Sequence, residues 1–238
     1  MLRAYSGLLV LILTNIVFPT NSIAETEFGQ WRFSVLLNGN SIGEHRYTLS
    51  AQGDLLEVHS QAEMKVKFLF FEAFRYEHTA TEVWQDNCLL SIESQTDNNN
   101  EMLKVSGRRE QQSFQVAATE NDATLQGCIR SFAYWNQSAI LGAKELLNSQ
   151  TGELMPIVVE TGQWENINAA GREWQAQRFS LIGRNLHIDL WYGPEGEWLQ
   201  LRSTLDNGRE LDYQLQEGPF PMQPQRAVEN TTPSNRNI

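Results

Sequence analysis

The dominant pattern along this chain is alternation of apolar and polar positions with a period of two. It is clearest over residues 55–68. There Leu56, Val58, Ala62, Met64, Val66 and Phe68 share one face, and Glu57, His59, Gln61, Glu63, Lys65 and Lys67 share the other. Successive side chains of a strand point to opposite sides, so this stretch predicts a strand with one buried face. Residues 28–38 repeat the pattern through Trp31, Phe33, Val35 and Leu37. The turn signal at 38–41 then predicts a hairpin whose return strand covers 42–50.

After Phe68 the alternation is lost in Leu69-Phe70-Phe71. It resumes with Phe74, Tyr76, His78, Ala80, Glu82 and Trp84 on one face. This predicts a strand running on through a bend or bulge near 70–73, buried there on both faces. Further strands are expected at 88–96, 102–107, 113–118, 153–161, 172–182, 185–192, 197–205 and 210–216. Turn signals at 97–100, 149–152, 193–196 and 206–208 separate them. Pro156 places the 153–161 strand at an edge. Residues 131–147 are the main helical candidate. Phe132, Trp135, Ala139 and Ile140 have helical spacing, Ser131 could cap the start, and Gly142 interrupts or ends it. Ten to twelve strands joined by short turns give an all-β antiparallel meander. So wide a sheet must curl or close, which predicts a barrel or half-barrel with the short helix at its opening.

The two ends read differently from the middle. Arg3, the apolar run 8–18, Pro19 and the small residues Ser22 and Ala24 form a signal-peptide pattern, with cleavage expected after Ala24. The run is too short for a membrane span. Residues 25–217 are expected to form a single β domain, and the polar, proline- and asparagine-rich 218–238 a disordered tail. Export implies a periplasmic or secreted protein with no integral membrane segment after processing.

Charge narrows the partners. The full chain carries a formal −11, and residues 1–24 hold one arginine and no acid, so the processed chain would carry −12. An acidic surface disfavours nucleic acid and anionic headgroups, and says nothing against neutral lipid or sugar. Cys88 and Cys128 are the two cysteines. In an oxidising compartment they read as a disulfide closing a loop of about 40 residues. No cofactor or metal is expected. The four histidines lie on different predicted strands, and no nucleotide-binding, zinc-protease or serine-hydrolase motif occurs.

Three places could carry a site, and each also fits plain packing or a solvated face. The first is the aromatic run with Phe68, Phe70, Phe71, Phe74 and Tyr76, where Arg75 and His78 could be the polar handles of a ligand cavity. The second is 131–136, where Tyr134 and Trp135 offer stacking surface beside the cysteine bridge. The third is His187, Asp189 and Trp191 on one face of a strand. There a His–Asp pair could orient a base, although no nucleophile is identified beside it.

Several strings in the chain, taken together, resemble a family of exported bacterial proteins, the domain-of-unknown-function family numbered six-one-three-four. They are VLLNGNSIGEHRYTL, VKFLFFEAFRYEHTATEVW, CIRSFAYWN, IDLWYGPEGEW and GRELDYQL. The resemblance covers about residues 28–217. It implies export, an all-β fold and a structural role for both cysteines, and supplies no activity. The opening hairpin is also similar to that of exported curved-sheet proteins reminiscent of periplasmic lipoprotein carriers.

The leading expectation is a monomeric, non-enzymatic envelope protein that binds a lipid or another apolar or amphipathic molecule inside a curved sheet. One alternative is a docking module of the periplasm with a filled interior. Another is a lipid- or glycan-acting hydrolase built on Asp189, Glu77 and His187.

Overall fold

A computed structural model of the chain describes residues 26–68, 71–205 and 208–218. The predicted signal segment and, except for Gly218, the predicted tail lie outside the described residues. So do Leu69, Phe70, Asp206 and Asn207.

The described residues form one antiparallel sheet of fourteen strands. The first eight are β1 (Thr26–Leu37), β2 (Asn40–Gln52), β3 (Leu55–Phe68), β4 (Phe71–Gln85), β5 (Cys88–Asn98), β6 (Glu101–Glu110), β7 (Ser113–Ala118) and β8 (Ala123–Gln126). After the helix α1 (Gln137–Leu141) come β9 (Glu145–Leu147), β10 (Leu154–Ala169), β11 (Arg172–Gly183), β12 (Leu186–Tyr192), β13 (Trp198–Thr204) and β14 (Glu210–Glu217). The chain starts at the middle of the sheet and meanders outward to β8 at one edge. It then crosses to β9 at the other edge and meanders back until β14 pairs with β1. The edges β8 and β9 do not pair with each other, so the sheet is open, a half-barrel and not a closed barrel.

The crossover is what folds the sheet around an interior. Cys128 is bonded to Cys88 at the start of β5, with Cα atoms 5.1 Å apart. Leu89 N–H donates to Ile129 O at 2.8 Å, and Leu147 N–H to Arg130 O at 2.7 Å. Further on, Ser94 of β5 donates through Oγ to Ser149 O, and Tyr192 of β12 through its hydroxyl to Tyr134 O at 2.7 Å. The crossover thus touches strands from both halves of the sheet. Trp84 and Trp135 meet edge-to-face at 5.5 Å, and Phe33, Tyr47 and Tyr134 pack around Trp198.

The alternation read from the sequence sets the inner face. The buried residues Trp31, Phe33 and Val35 of β1, Val58, Ala62 and Met64 of β3, and Ile188 and Leu190 of β12 belong to one core cluster. Four expectations change. Residues 64–78 do not form one bent strand: β3 ends at Phe68, β4 begins at Phe71, and these two residues are paired in a hairpin. The run carries no Gly, Pro, Asn or Asp to announce a turn. The helix is five residues long, not most of 131–147, and its cap is Asn136, whose Oδ1 accepts from Ala139 N–H at 3.0 Å. The strand count exceeds the expected ten to twelve because β8 and β9 are too short to show periodicity. Pro156 is not on a free edge, since it faces Glu145 of β9, although β9 covers only the first three residues of β10.

Candidate ligand cavity

The inner face, closed over by the crossover, encloses a cavity of about 830 Å³. The register of β1–β5 lays its wall out in rows, because directly opposed residues of antiparallel strands project to the same side. One row runs Phe33, His45, Ala62, His78, Thr96. The next row outward holds Met64 and Tyr76, and then Val66 and Phe74. The rows inward hold Ser60 with Ala80, then Val58 with Glu82. Eight residues separate Phe74 from Glu82 on β4, so this wall extends for about 27 Å. Leu201, Leu211 and Tyr213 line the cavity from β13 and β14, and Phe132, Tyr134 and Trp135 from the crossover. The lining residues Ala73, Asn185 and Arg209 are exposed and mark the mouth.

The inner half is polar, with two histidines, several phenols and one carboxyl, Glu82. His45 is only 8% exposed. Its Nδ1 lies 3.3 Å from the Tyr213 hydroxyl and 3.4 Å from that of Tyr47. Burial, with a smaller contribution from His78, holds its pKa down at about 3. His78 Nδ1 bonds the buried Thr96 hydroxyl at 2.8 Å, and burial lowers its pKa to about 4. Both rings are therefore neutral at physiological pH. Glu82 accepts from Trp84 Nε1 at 2.9 Å. Burial raises its carboxyl pKa, and the Ser131 hydroxyl and the Trp84 N–H oppose that rise. Burial likewise raises the phenols of Tyr47, Tyr76, Tyr134 and Tyr213.

Of the residues singled out in the sequence, Phe74, Tyr76, His78, Tyr134 and Trp135 line this one cavity. Phe70 lies outside the described residues, and for Phe68 and Phe71 only the backbone is described. The other three are not on the cavity wall. Arg75, on the opposite face of β4, pairs with Asp97 at 2.5 Å. Asp189 accepts from Ser180 and lies 3.6 Å from His187 Nε2. Trp191 Nε1 donates to Glu165 at 2.6 Å. Glu77, named with Asp189 for a hydrolase, lies 3.9 Å from Lys65 and from Arg75 on β4. Five strands of the sheet separate β4 from β12, so the hydrolase residues do not meet.

His45, Tyr47, Ser60, Glu82 and Tyr213 also line the cavity. The signal for them was a polar residue in phase with an apolar face: Glu82 between Ala80 and Trp84, and His45 in the run His45, Tyr47, Leu49. Among the described residues, no group of three or more His, Cys, Asp or Glu could hold a metal ion, and no helix is long and apolar enough to cross a membrane. The disulfide points to a location outside the cytoplasm.

Comparison with solved structures finds a likeness to the crystal structure of a β-barrel-like protein of domain of unknown function DUF1849 from Brucella abortus. The TM-score is 0.59 at 10% identity, over 78% of this chain and 94% of that one. At that identity the likeness concerns the fold alone. No curated protein matches the chain. The family model described as domain of unknown function DUF6134 matches residues 33–216, nearly the whole of the sheet, and the chain belongs to that family.

Proposed function

We propose that this protein is an exported, non-enzymatic carrier or sensor that holds one apolar or amphipathic small molecule inside its half-barrel. The observation behind this reading is the cavity. At about 830 Å³ it falls within the roughly 300–1,000 Å³ range of small-molecule sites. Its walls combine aliphatic and aromatic side chains with a few convergent polar groups, the usual make-up of such sites. Hydrocarbon burial there would contribute about 0.8 kcal/mol per CH2. The cysteine bridge and the apolar run at 8–18 support export. The cavity counts against the docking alternative, whose premise is a filled interior.

The neutral fluorophore N-phenylnaphthylamine tests the reading. It should brighten on saturable, one-to-one binding to the wild-type protein. Val66→Trp, which places a bulky ring on the outer wall of the cavity, should abolish the signal without lowering the melting temperature. Unsaturable brightening, or brightening unchanged in the variant, would overturn the proposal.

A further inference from the structure

The cavity has a floor as well as walls. Ala62 of β3 sits directly between His45 of β2 and His78 of β4. Strands lie about 4.8 Å apart, so the two histidine Cα atoms stand about 10 Å from each other with only a methyl group between them. The result is a notch with a neutral imidazole on either side. Each ring has one nitrogen engaged and one remaining. His78 Nδ1 is taken by Thr96, which leaves Nε2. His45 Nδ1 faces two tyrosine hydroxyls, and its Nε2 is buried without a hydrogen-bond partner among the described residues.

Two hydroxyls lie against His45 Nδ1, and when either of them donates to it the ring carries its proton on Nε2. A buried N–H with no acceptor is destabilising by about 1–3 kcal/mol, and an incoming acceptor would remove that cost. The charge pattern narrows the acceptor. Among the described lining residues Arg209 is the one cation, and it sits at the exposed mouth, so an anion at the notch would meet no countercharge. A cation at the notch would face the Nε2–H end of the His45 ring, and the one acidic residue of the described lining, Glu82, lies two rows further in. The polar groups around it in the wall are Ser60, Tyr47, Tyr76, Tyr213 and, two rows further in, Glu82. Outward of the notch the wall turns aliphatic and aromatic through Met64, Val66 and Phe74.

We propose that the notch over Ala62 takes the uncharged, hydrogen-bond-accepting oxygen of a hydrocarbon ligand, a carbonyl or hydroxyl, between His45 and His78, with the chain running out toward Phe74. This rests on the ligand-binding reading above and adds the class and the orientation of the ligand. His45 Nε2 is covered in the structure, so the ring tips toward the notch as the oxygen arrives.

The test is displacement of N-phenylnaphthylamine from the full chain by four probes of similar chain length: methyl octyl ketone, decane, ionised decanoate at alkaline pH, and decyltrimethylammonium. The ketone should displace it at about tenfold lower concentration than decane, one hydrogen bond's worth, and the two ions should be weakest. His45→Leu should remove the ketone's advantage over decane. If that variant does not fold, imidazole nitrogen resonances of the wild type decide instead. The His45 or His78 Nε2 signal should move with the ketone and stay put with decane.

Equal binding of ketone and decane would overturn the inference while the cavity remains a binding site. So would a ketone advantage that survives in both His45→Leu and His78→Leu, tighter binding of either ion, or unmoved nitrogen signals. Failure of every probe together with the fluorophore would instead overturn the binding reading, and this inference with it.

Discussion

Acid should unfold this protein through two histidines. His45 and His78 are 8% and 6% exposed, and burial holds their pKa values at about 3 and about 4 in the folded state, against 6.5 for the free side chain. The sign follows from proton counting. Above pH 6.5 neither the folded nor the unfolded chain protonates them, and they do not affect stability. As pH falls below 6.5 the unfolded chain takes up protons first, so stability is lost until the pH reaches the folded values. At about pH 5 each histidine should cost roughly 2 kcal/mol, or about 4 kcal/mol together. Between pH 6 and 4 the combined slope should approach about 2.7 kcal/mol per pH unit. Such a loss rivals the whole stability of a typical domain, about 5–15 kcal/mol. Glu82 has the opposite sign, since its raised carboxyl favours the fold at low pH and the benefit fades as pH rises above 4.5. The assay is urea unfolding followed by tryptophan fluorescence at a series of pH values, on the wild type and on a His45→Phe, His78→Leu double variant. The difference between their slopes isolates the two groups from every other titrating side chain. A double variant that loses stability with falling pH as steeply as the wild type would refute the reasoning.

Two structural predictions follow from the crossover and the sheet. Replacing both cysteines, Cys88→Ser and Cys128→Ser, opens a loop of 40 residues and should cost about 4 kcal/mol in the chain-entropy account. That amounts to roughly 8–15 °C in melting temperature by calorimetry, and amide exchange should rise first in residues 129–135. Gly43→Ala should destabilise by about 3 kcal/mol or more in urea titration. A Cβ there would lie 1.9 Å from the carbonyl oxygen of Glu63, in backbone that cannot give way cheaply. An unchanged midpoint would show that β2 and β3 can separate at this point.

What the sequence revealed depended on whether a residue's phase or its environment decided the outcome. Alternation along β1 and β3 placed their inner faces correctly, because a strand that buries one side has only one register that suits it. The same logic put His78 and Glu82 on one face with Phe74 and Tyr76, and that face lines the cavity. It failed at Phe68 and Phe71, which pair across a hairpin although no Gly, Pro, Asn or Asp stands between them in the sequence. It also started α1 too early, at Ser131 instead of Gln137, although Gly142 does end it. Phe132 and Trp135 are spaced like a helical stripe, but they lie in an irregular segment held by the disulfide, by Trp135 against Trp84 and by Tyr134 against Trp198. Arg75 and Asp189 attracted attention for their chemistry, yet their phase already put them opposite the apolar positions, and each is matched with neighbours there. That Ala62 forms a notch between two histidines is a property of register between strands, which no single strand displays.

The pairing of β1 with β14 sets the order in which this molecule can be completed. Arg32 and Glu217 are neighbours across 185 residues of chain, at the centre of the sheet and not at its rim. Contacts this remote form slowly, because the loop entropy is lost before the contact energy is gained. A chain emerging from its N-terminus therefore has no partner for one side of β1 until residues 210–217 arrive. Until then the two halves of the sheet meet only through the crossover. Closing the centre of the sheet therefore waits for β14, the strand made last among those described, and the inner face is continuous only once it is in place.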